Sequence, residues 1–392
     1  MPAGERRSAR RVPPRRSPLW GPLVAVVGAI MIVVVLILYA GGHGGGTVTE
    51  TGQSDAATGP DTASVLPRAA GGTGGTGGTA GAGTPRASAV PAVVSGCVSG
   101  KNISAGSSHQ TLRVGADTRG YQLAVPAGSI PARPLPLIVV FHAAGENAAA
   151  VEGYTHLSEV GARSGYAVAT PDGVDGKWNF VRRPAAGPDD VAFVAALVND
   201  LTARTCLDAQ RVFATGLGDG ADMAVTAACA LPGVFAAVVP VASAVIPAAC
   251  ASPAPSLLAI HGTSDPVTPL DGGGADRPAP FDGTQAQPME ARLGRYAGFV
   301  GCGPAAPWID DTRSLGLKRL IHTACPGGRD VGLLAVQGGG HVWPDPDASP
   351  PAGAARARFS ATEVALAYFR GHPQPAPASV SPTAGTPTQA GR

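Results

Sequence analysis

Gly216-Leu217-Gly218-Asp219-Gly220 carries the clearest chemical signal in this 392-residue chain. A β-type run over 211–215 precedes it and a helix-like run over 219–231 follows it. That is the strand-turn-helix setting of a G-x-S-x-G nucleophile elbow, where a sharp turn presents a serine hydroxyl for attack on a carbonyl. Gly216 and Gly220 are the small flanking residues that the turn needs, but Gly218 stands where the serine would be. An elbow residue is held at positive φ, which costs a non-glycine residue roughly 1–3 kcal/mol. Glycine therefore relaxes the turn and spares the fold while removing the attacking atom. A register with Asp219 as a carboxylate nucleophile would put bulky Leu217 two positions before the apex, where it crowds the turn, so Gly218 is the better apex. A glycine-rich loop with no catalytic ancestry is the plainer reading of this stretch taken alone.

The elements around the elbow follow from hydrophobic periodicity. Buried strands are predicted over 137–141, 166–170, 211–215, 236–239, 257–260 and 331–336, and amphipathic helices over 190–203, 219–231 and 289–299. A last helix over 361–370 has a capping box, Ser360 with Glu363. This order predicts an α/β domain with a mostly parallel sheet and helices on both faces. Residues 111–114 and 121–125, around a turn, predict an antiparallel hairpin at the sheet edge.

The ends of the chain are of another kind. Six arginines lie within residues 1–16, and an uncharged apolar run over 19–40 follows. At ~1.5 Å per residue the run spans a ~30 Å hydrocarbon core. The arginine flank predicts a cytoplasmic segment over 1–18, a single transmembrane helix over 19–40 and everything beyond it outside the cell. Secretion after cleavage of a signal sequence is the alternative. Residues 41–95, rich in Gly, Thr and Ala, and residues 373–392, rich in Pro, Ala and Thr, read as disordered linker and tail. One domain remains, over 96–372, large enough for a single well-buried core. The net charge of +2 belongs to topology, since removing the six arginines and Glu5 leaves the rest of the chain at −3. No basic patch argues for nucleic acid.

Cys97, Cys206, Cys229, Cys250, Cys302 and Cys325 all fall in that domain. An even number in an exported domain predicts three disulfides, and no C-x-x-C spacing suggests zinc. Cys206 before the elbow strand and Cys229 at the end of the following helix are expected at the same end of the sheet. That favours pairing them, with Cys302–Cys325 and Cys97–Cys250 left over, although six cysteines allow fifteen connectivities.

Further landmarks stand in order: Arg119-Gly120-Tyr121, Phe141-His142-Ala143-Ala144-Gly145, Pro171-Asp172-Gly173, Trp178-Asn179, Asp189-Asp190-Val191, residues 211–220, Ile260-His261-Gly262-Thr263-Ser264-Asp265 and Gly338-Gly339-Gly340-His341-Val342-Trp343-Pro344. Together they resemble the α/β-hydrolase family of polyhydroxybutyrate depolymerases and related feruloyl or acetylxylan esterases, from about residue 119 to 372. The resemblance implies an α/β-hydrolase fold with the nucleophile at the position of Gly218, the acid at Asp265 and the base at His341. Asp265, after a buried strand, can fix a histidine tautomer; its plainer role is a turn cap. His341 sits on a glycine loop flexible enough to reach the sheet edge, and its plainer role is that of a surface histidine.

Backbone amides near Ala143 and Ala144, with that of Asp219, would form an oxyanion hole. His142, Trp178 and Trp343 are expected near the substrate, His142 rather as a brace for its loop than as a chemical group. The family usually has a glycine-rich or cysteine-containing sequence after its oxyanion-loop histidine, and Ala143-Ala144-Gly145-Glu146 departs from it. Ser243 and Ser264 fit ordinary turn and strand-end roles better than that of a displaced nucleophile. Without a serine no acyl-enzyme is expected, and activity falls to what an oxyanion hole and positioning supply, on the order of 10³–10⁴ over water.

Two functions compete on these grounds. One is a cell-envelope hydrolase of small-molecule or polymeric esters, impaired at its nucleophile and working through a displaced nucleophile or a water activated by His341; the other is a pseudoenzyme that holds an ester, glycan or lipid at the surface. The scattered histidines imply neither a metal nor an organic cofactor.

Overall fold

A computed structural model describes Cys97 and residues 104–127, 134–182, 187–252, 254–273 and 287–374. The expected transmembrane helix over 19–40, the linker over 41–95 and nearly all of the tail over 373–392 lie outside these residues. Among the described residues no helix is long and apolar enough to cross a membrane.

Ten strands form one mixed sheet. They are β1 (Gly106–Val114), β2 (Asp117–Val125), β3 (Leu135–Phe141), β4 (Ala167–Pro171), β5 (Leu207–Leu217), β6 (Ala237–Val241), β7 (Ser256–Gly262), β8 (Ile309–Asp311), β9 (Leu317–His322) and β10 (Val331–Val336), in the order β1-β2-β4-β3-β5-β6-β7-β10-β9-β8. The six central strands, from β4 to β10, run parallel. Antiparallel hairpins close both edges: β1–β2 as expected, and β8–β9, which the sequence reading did not anticipate. In β9 the signal was present as alternation, with Leu317, Leu320 and His322 buried between half-buried Lys318, Arg319 and Ile321.

Because successive strand residues point to opposite faces, β3 feeds two cores at once. Leu137, Val139 and Phe141 join helices α3 (Asp190–Arg204), α4 (Asp219–Ala230) and α5 (Met289–Val300), while Ile138 and Val140 join α1 (Ala148–Thr155), α2 (Leu157–Arg163) and α6 (Ala361–Gly371). Strands covered on both faces must read as unbroken apolar runs, and β3, β7 and β10 do. The α6 cap forms as expected, Ser360 accepting a hydrogen bond from the Glu363 amide.

Three disulfides form, but two of the favoured pairings are corrected. The bonds are Cys97–Cys206, Cys229–Cys250 and Cys302–Cys325. Cys229 takes the nearer partner because the chain returns past the end of α4, where the Ala251 amide donates to the Cys229 carbonyl at 2.9 Å. Cys206 is then left to the segment that precedes β1.

Several sequence landmarks meet in one buried clamp. The Arg119 guanidinium pairs with Asp190 and donates to the Asp172 carbonyl at 2.8 and 3.2 Å, with its plane 3.9 Å from the Phe193 ring centre. Asp190 also accepts from the Asn179 amide at 2.6 Å. This clamp joins β2, the segment after β4 and the start of α3. Removing one partner strands a buried charge, so Arg119→Met should cost about 3–5 kcal/mol in urea unfolding. A loss under ~1 kcal/mol would show that the clamp is not needed.

Candidate active site

The chain reverses from β5 into α4 at Gly218, which has φ 56° and ψ −120°. Its neighbours are fixed by contact. A Cβ on Gly216 would lie 2.6 Å from the Phe141 carbonyl oxygen, and one on Gly220 would lie 2.2 Å from it and 2.4 Å from that of His142. Neither position accepts a side chain, so the elbow packs directly on the end of β3. The Gly218 amide donates to the Val241 carbonyl at 3.0 Å, tying the apex to β6.

Asp265 and His341 are brought together across the ends of β7 and β10. A Cβ on Gly262 would sit 2.2 Å from the Gly339 carbonyl oxygen, so the two loops touch backbone to backbone. The Ser264 amide donates to Gly339 at 2.9 Å, and Gly338 donates to the Thr263 hydroxyl at 2.9 Å. The glycines before His341 therefore serve close packing, which corrects the expectation of a flexible loop.

Asp265 fills two roles. Its Oδ1 accepts from the Val267 and Thr268 amides at 2.8 Å each, while Oδ2 accepts from His341 Nδ1 at 2.9 Å and from the Thr268 hydroxyl at 3.0 Å. Burial pushes this carboxyl up, but His341 and the Thr268 amide outweigh it and hold Asp265 below the ordinary carboxylate value. An ionised carboxylate only accepts, so the His341 proton sits on Nδ1 and Nε2 keeps its lone pair. Nε2 lies 2.9 Å from where a Cβ of Gly218 would be.

The oxyanion loop is braced from behind. His142 is fully buried; its Nδ1 donates to the Ala143 carbonyl at 2.8 Å and its Nε2 accepts from the Gly173 amide at 2.8 Å. Burial lowers its pKa and keeps it neutral. Trp178 packs against the His142 ring and donates to the His142 carbonyl at 2.9 Å. Both side chains are shut away from solvent, which corrects their expected placement at the substrate; His142 holds its loop, the bracing role also expected of it, and Trp178 supports that loop. Trp343 is also buried but forms a wall of a cavity, its indole N–H donating to Thr362 at 3.0 Å.

Of the three expected oxyanion donors, the Ala143 amide is taken by Glu146, whose Oε2 accepts it at 3.1 Å together with the Tyr154 hydroxyl at 2.9 Å. The Asp219 amide opens α4 and has no intrahelical acceptor, and the Ala144 amide has no partner among the described residues. The cavity beside His341 holds about 320 Å³, within the range of small-molecule sites. Leu217, Val336, Trp343 and Pro344 give it apolar walls, with Glu146 and Arg356 among its polar groups. Ser243 is buried beside Asp222 and does not line this cavity. Among the described residues no cluster of side chains could hold a metal ion.

The family model described as Esterase PHB depolymerase matches residues 119–284. The protein named "Putative esterase NocK", from Nocardia uniformis subsp. tsuyamanensis, is 31% identical over 288 residues, covering 66% of this chain and 81% of that protein. The chain belongs to the PHB depolymerase esterase family. Feruloyl esterase B of Piromyces equi is 27% identical over 234 residues, 56% of this chain but 42% of that protein's length. Among solved structures, acetyl xylan esterase from Aspergillus awamori is similar with 18% identity and a TM-score of 0.45, over 60% of this chain and 94% of that one.

Two residues at the site of this esterase-family chain escaped the sequence reading as site residues. Thr268 was announced by its place three residues after Asp265, the spacing of a side-chain-capped turn. His261 supports the acid loop, its Nε2 donating to the Thr268 carbonyl at 2.6 Å. Burial lowers the His261 pKa to about 4, so it is neutral at pH 7 and its 3.6 Å approach to Asp265 is no ion pair there.

In the unfolded chain His261 takes up a proton near pH 6.5, so its contribution is complete above that value and is lost as pH falls toward 4. Buried Asp222, whose Oδ1 accepts from the Val245 amide at 2.7 Å, is pushed up to about 7 chiefly by burial and then by Asp219. It acts in the opposite sense, contributing at low pH and losing that contribution as pH rises from about 4 to about 7. Thermal unfolding across pH 4–8 should therefore show wild type gaining up to about 3 kcal/mol on His261→Gln between pH 4 and 6.5, and losing ground to Asp222→Asn over pH 4–7. Differences that do not change with pH would overturn both assignments.

Proposed function

We propose that this chain is an exported, membrane-tethered esterase-family protein that binds an ester beside His341 but lacks ordinary serine-esterase chemistry. The observation that carries the reading is a glycine at the elbow apex, at positive φ, facing the Nε2 of a histidine already paired with its carboxylate. The dyad supplies a base, the Ala144 and Asp219 amides supply donors, and the apolar cavity supplies room for the acyl or aryl part of a small-molecule or polymeric ester. The tether rests on the arginine flank and the apolar run over 19–40.

The engagement of the Ala143 amide by Glu146 favours a second reading, in which the same cavity holds an ester, glycan or lipid without turnover.

Native full-length protein should resist labelling by a fluorophosphonate, whereas Gly218→Ser should become labelled and gain on the order of 10²-fold or more in kcat/KM on p-nitrophenyl butyrate. The new Cβ requires the His341 ring to give way, and the strained turn costs roughly 1–3 kcal/mol. Adding His341→Ala should remove most of the gain. Strong, fluorophosphonate-sensitive turnover by native protein would overturn the proposal. For the tether, protease added to intact cells lacking an outer barrier should release the 96–372 domain, and full protection would count against export.

A further inference from the structure

The imidazole of His341 stands closer to the elbow than a base serving a separate nucleophile requires. Its Nε2 is 2.9 Å from the Cβ position of Gly218, and the Cα–Cβ bond adds only ~1.5 Å to reach the backbone. A water placed on the line from Nε2 to the glycine would need about 6 Å. No water fits on the line between ring and apex, and the ring nitrogen borders the position of the missing serine Cβ directly. Nδ1 is committed to Asp265, and Nε2 has no partner among the described residues. The His341 side chain is 19% exposed and lines the cavity, and the unengaged Ala144 and Asp219 amides belong to the loop and helix start that flank the apex.

We infer that His341 Nε2 is itself the acyl acceptor of this site, and that its substrates are esters with good leaving groups, phenolic esters or thioesters. The inference rests on the reading of the cavity as an ester-binding site. The Nε2 lone pair attacks the carbonyl carbon, the carbonyl oxygen gains negative charge toward the two free amides, and the bond to the leaving oxygen or sulfur breaks. The products are a phenoxide or thiolate and an acyl-imidazolium whose Nδ1 proton rests against Asp265, which offsets the positive charge. Water then attacks the acyl carbon, the bond to Nε2 breaks, and the carboxylate and two protons are released, which returns Nε2 to its lone-pair form. No oxidant, metal or second substrate is needed.

The leaving-group requirement follows from the proton count. In a serine mechanism the histidine takes a proton from the hydroxyl and passes it to the leaving group. Here the attacking nitrogen brings no proton, and once acylated it can donate none. The leaving group must depart unprotonated, which phenoxides and thiolates do readily and alkoxides do not.

The test mixes full-length protein in detergent with p-nitrophenyl trimethylacetate, whose bulky acyl group slows the water step. We expect a burst of one p-nitrophenolate per protein, an acyl group on the His341 peptide after acid quench and peptide mapping, and no turnover of the ethyl ester. The burst should vanish in His341→Ala and slow by roughly 10²-fold or more in Asp265→Asn. Mapping on the native protein keeps the test decisive even where a variant misfolds. Linear release without a burst, an acyl group on any other residue, or ethyl-ester turnover matching that of the p-nitrophenyl ester would overturn the inference. Calorimetric binding of trimethylacetanilide, the amide analogue of the aryl ester, separates the two levels: binding without acylation rejects the histidine nucleophile and leaves the ester-binding site standing, and no binding rejects the site as well.

Discussion

The backbone contact between Gly262 and Gly339 is the constraint on which the site depends. Strands β7 and β10 are neighbours and run parallel, so the loops leaving them start side by side. They can touch because Gly262 carries no side chain at the crossing, where a Cβ would meet the Gly339 carbonyl oxygen at 2.2 Å. That contact sets the separation of Asp265 from His341. The 2.9 Å hydrogen bond between them then fixes the tautomer and aims Nε2 at the elbow. The acid is locked from its other side by the Thr268 turn, and that turn by the buried, neutral His261. Orientation therefore passes inward from packing to polar contacts.

The elbow obeys the same rule on the opposite side of the site. Gly216 and Gly220 lie against the carbonyls of Phe141 and His142, which couples the turn to the loop that carries the oxyanion amides. His142 and Trp178 complete that loop from below. Gly218 differs from these two glycines: its requirement is conformational, at φ 56°, and its only close neighbour is the end of the movable His341 side chain. Packing forbids a side chain at 216 and 220 and permits one at 218.

Much of this was legible in the sequence because the strands are buried on both faces and therefore unbroken in apolarity. The runs at 137–141, 257–260 and 331–336 each became a central parallel strand. The β8–β9 hairpin was missed because its residues are half exposed and its signal is a short alternation. Two of the three disulfide pairings failed for a different reason, Cys302–Cys325 forming as expected: the return of the chain past Cys229 is set by loop geometry, which periodicity does not encode. At the site, residue types pointed to Gly218, Asp265 and His341, and the structure brings these three together. They could not reveal that Glu146 takes the Ala143 amide, since that depends on a turn closed by the Glu146 amide on the Ala143 carbonyl at 3.2 Å.

The relation of His341 to Gly218 shows why a missing atom differs from a vacant site. A protein interior closes over a deleted group when a neighbour can move at low cost, and a ring at the end of a side chain is such a neighbour. Here the imidazole lies where a serine Cβ would press on it, while its Nδ1 hydrogen bond to Asp265 is intact. The dyad keeps its hydrogen bond with Nε2 close to the turn. The cavity is bordered by His341, whose Nε2 has no hydrogen-bond partner among the described residues. The chemistry open to the site is decided by that placement more than by the family to which the fold belongs.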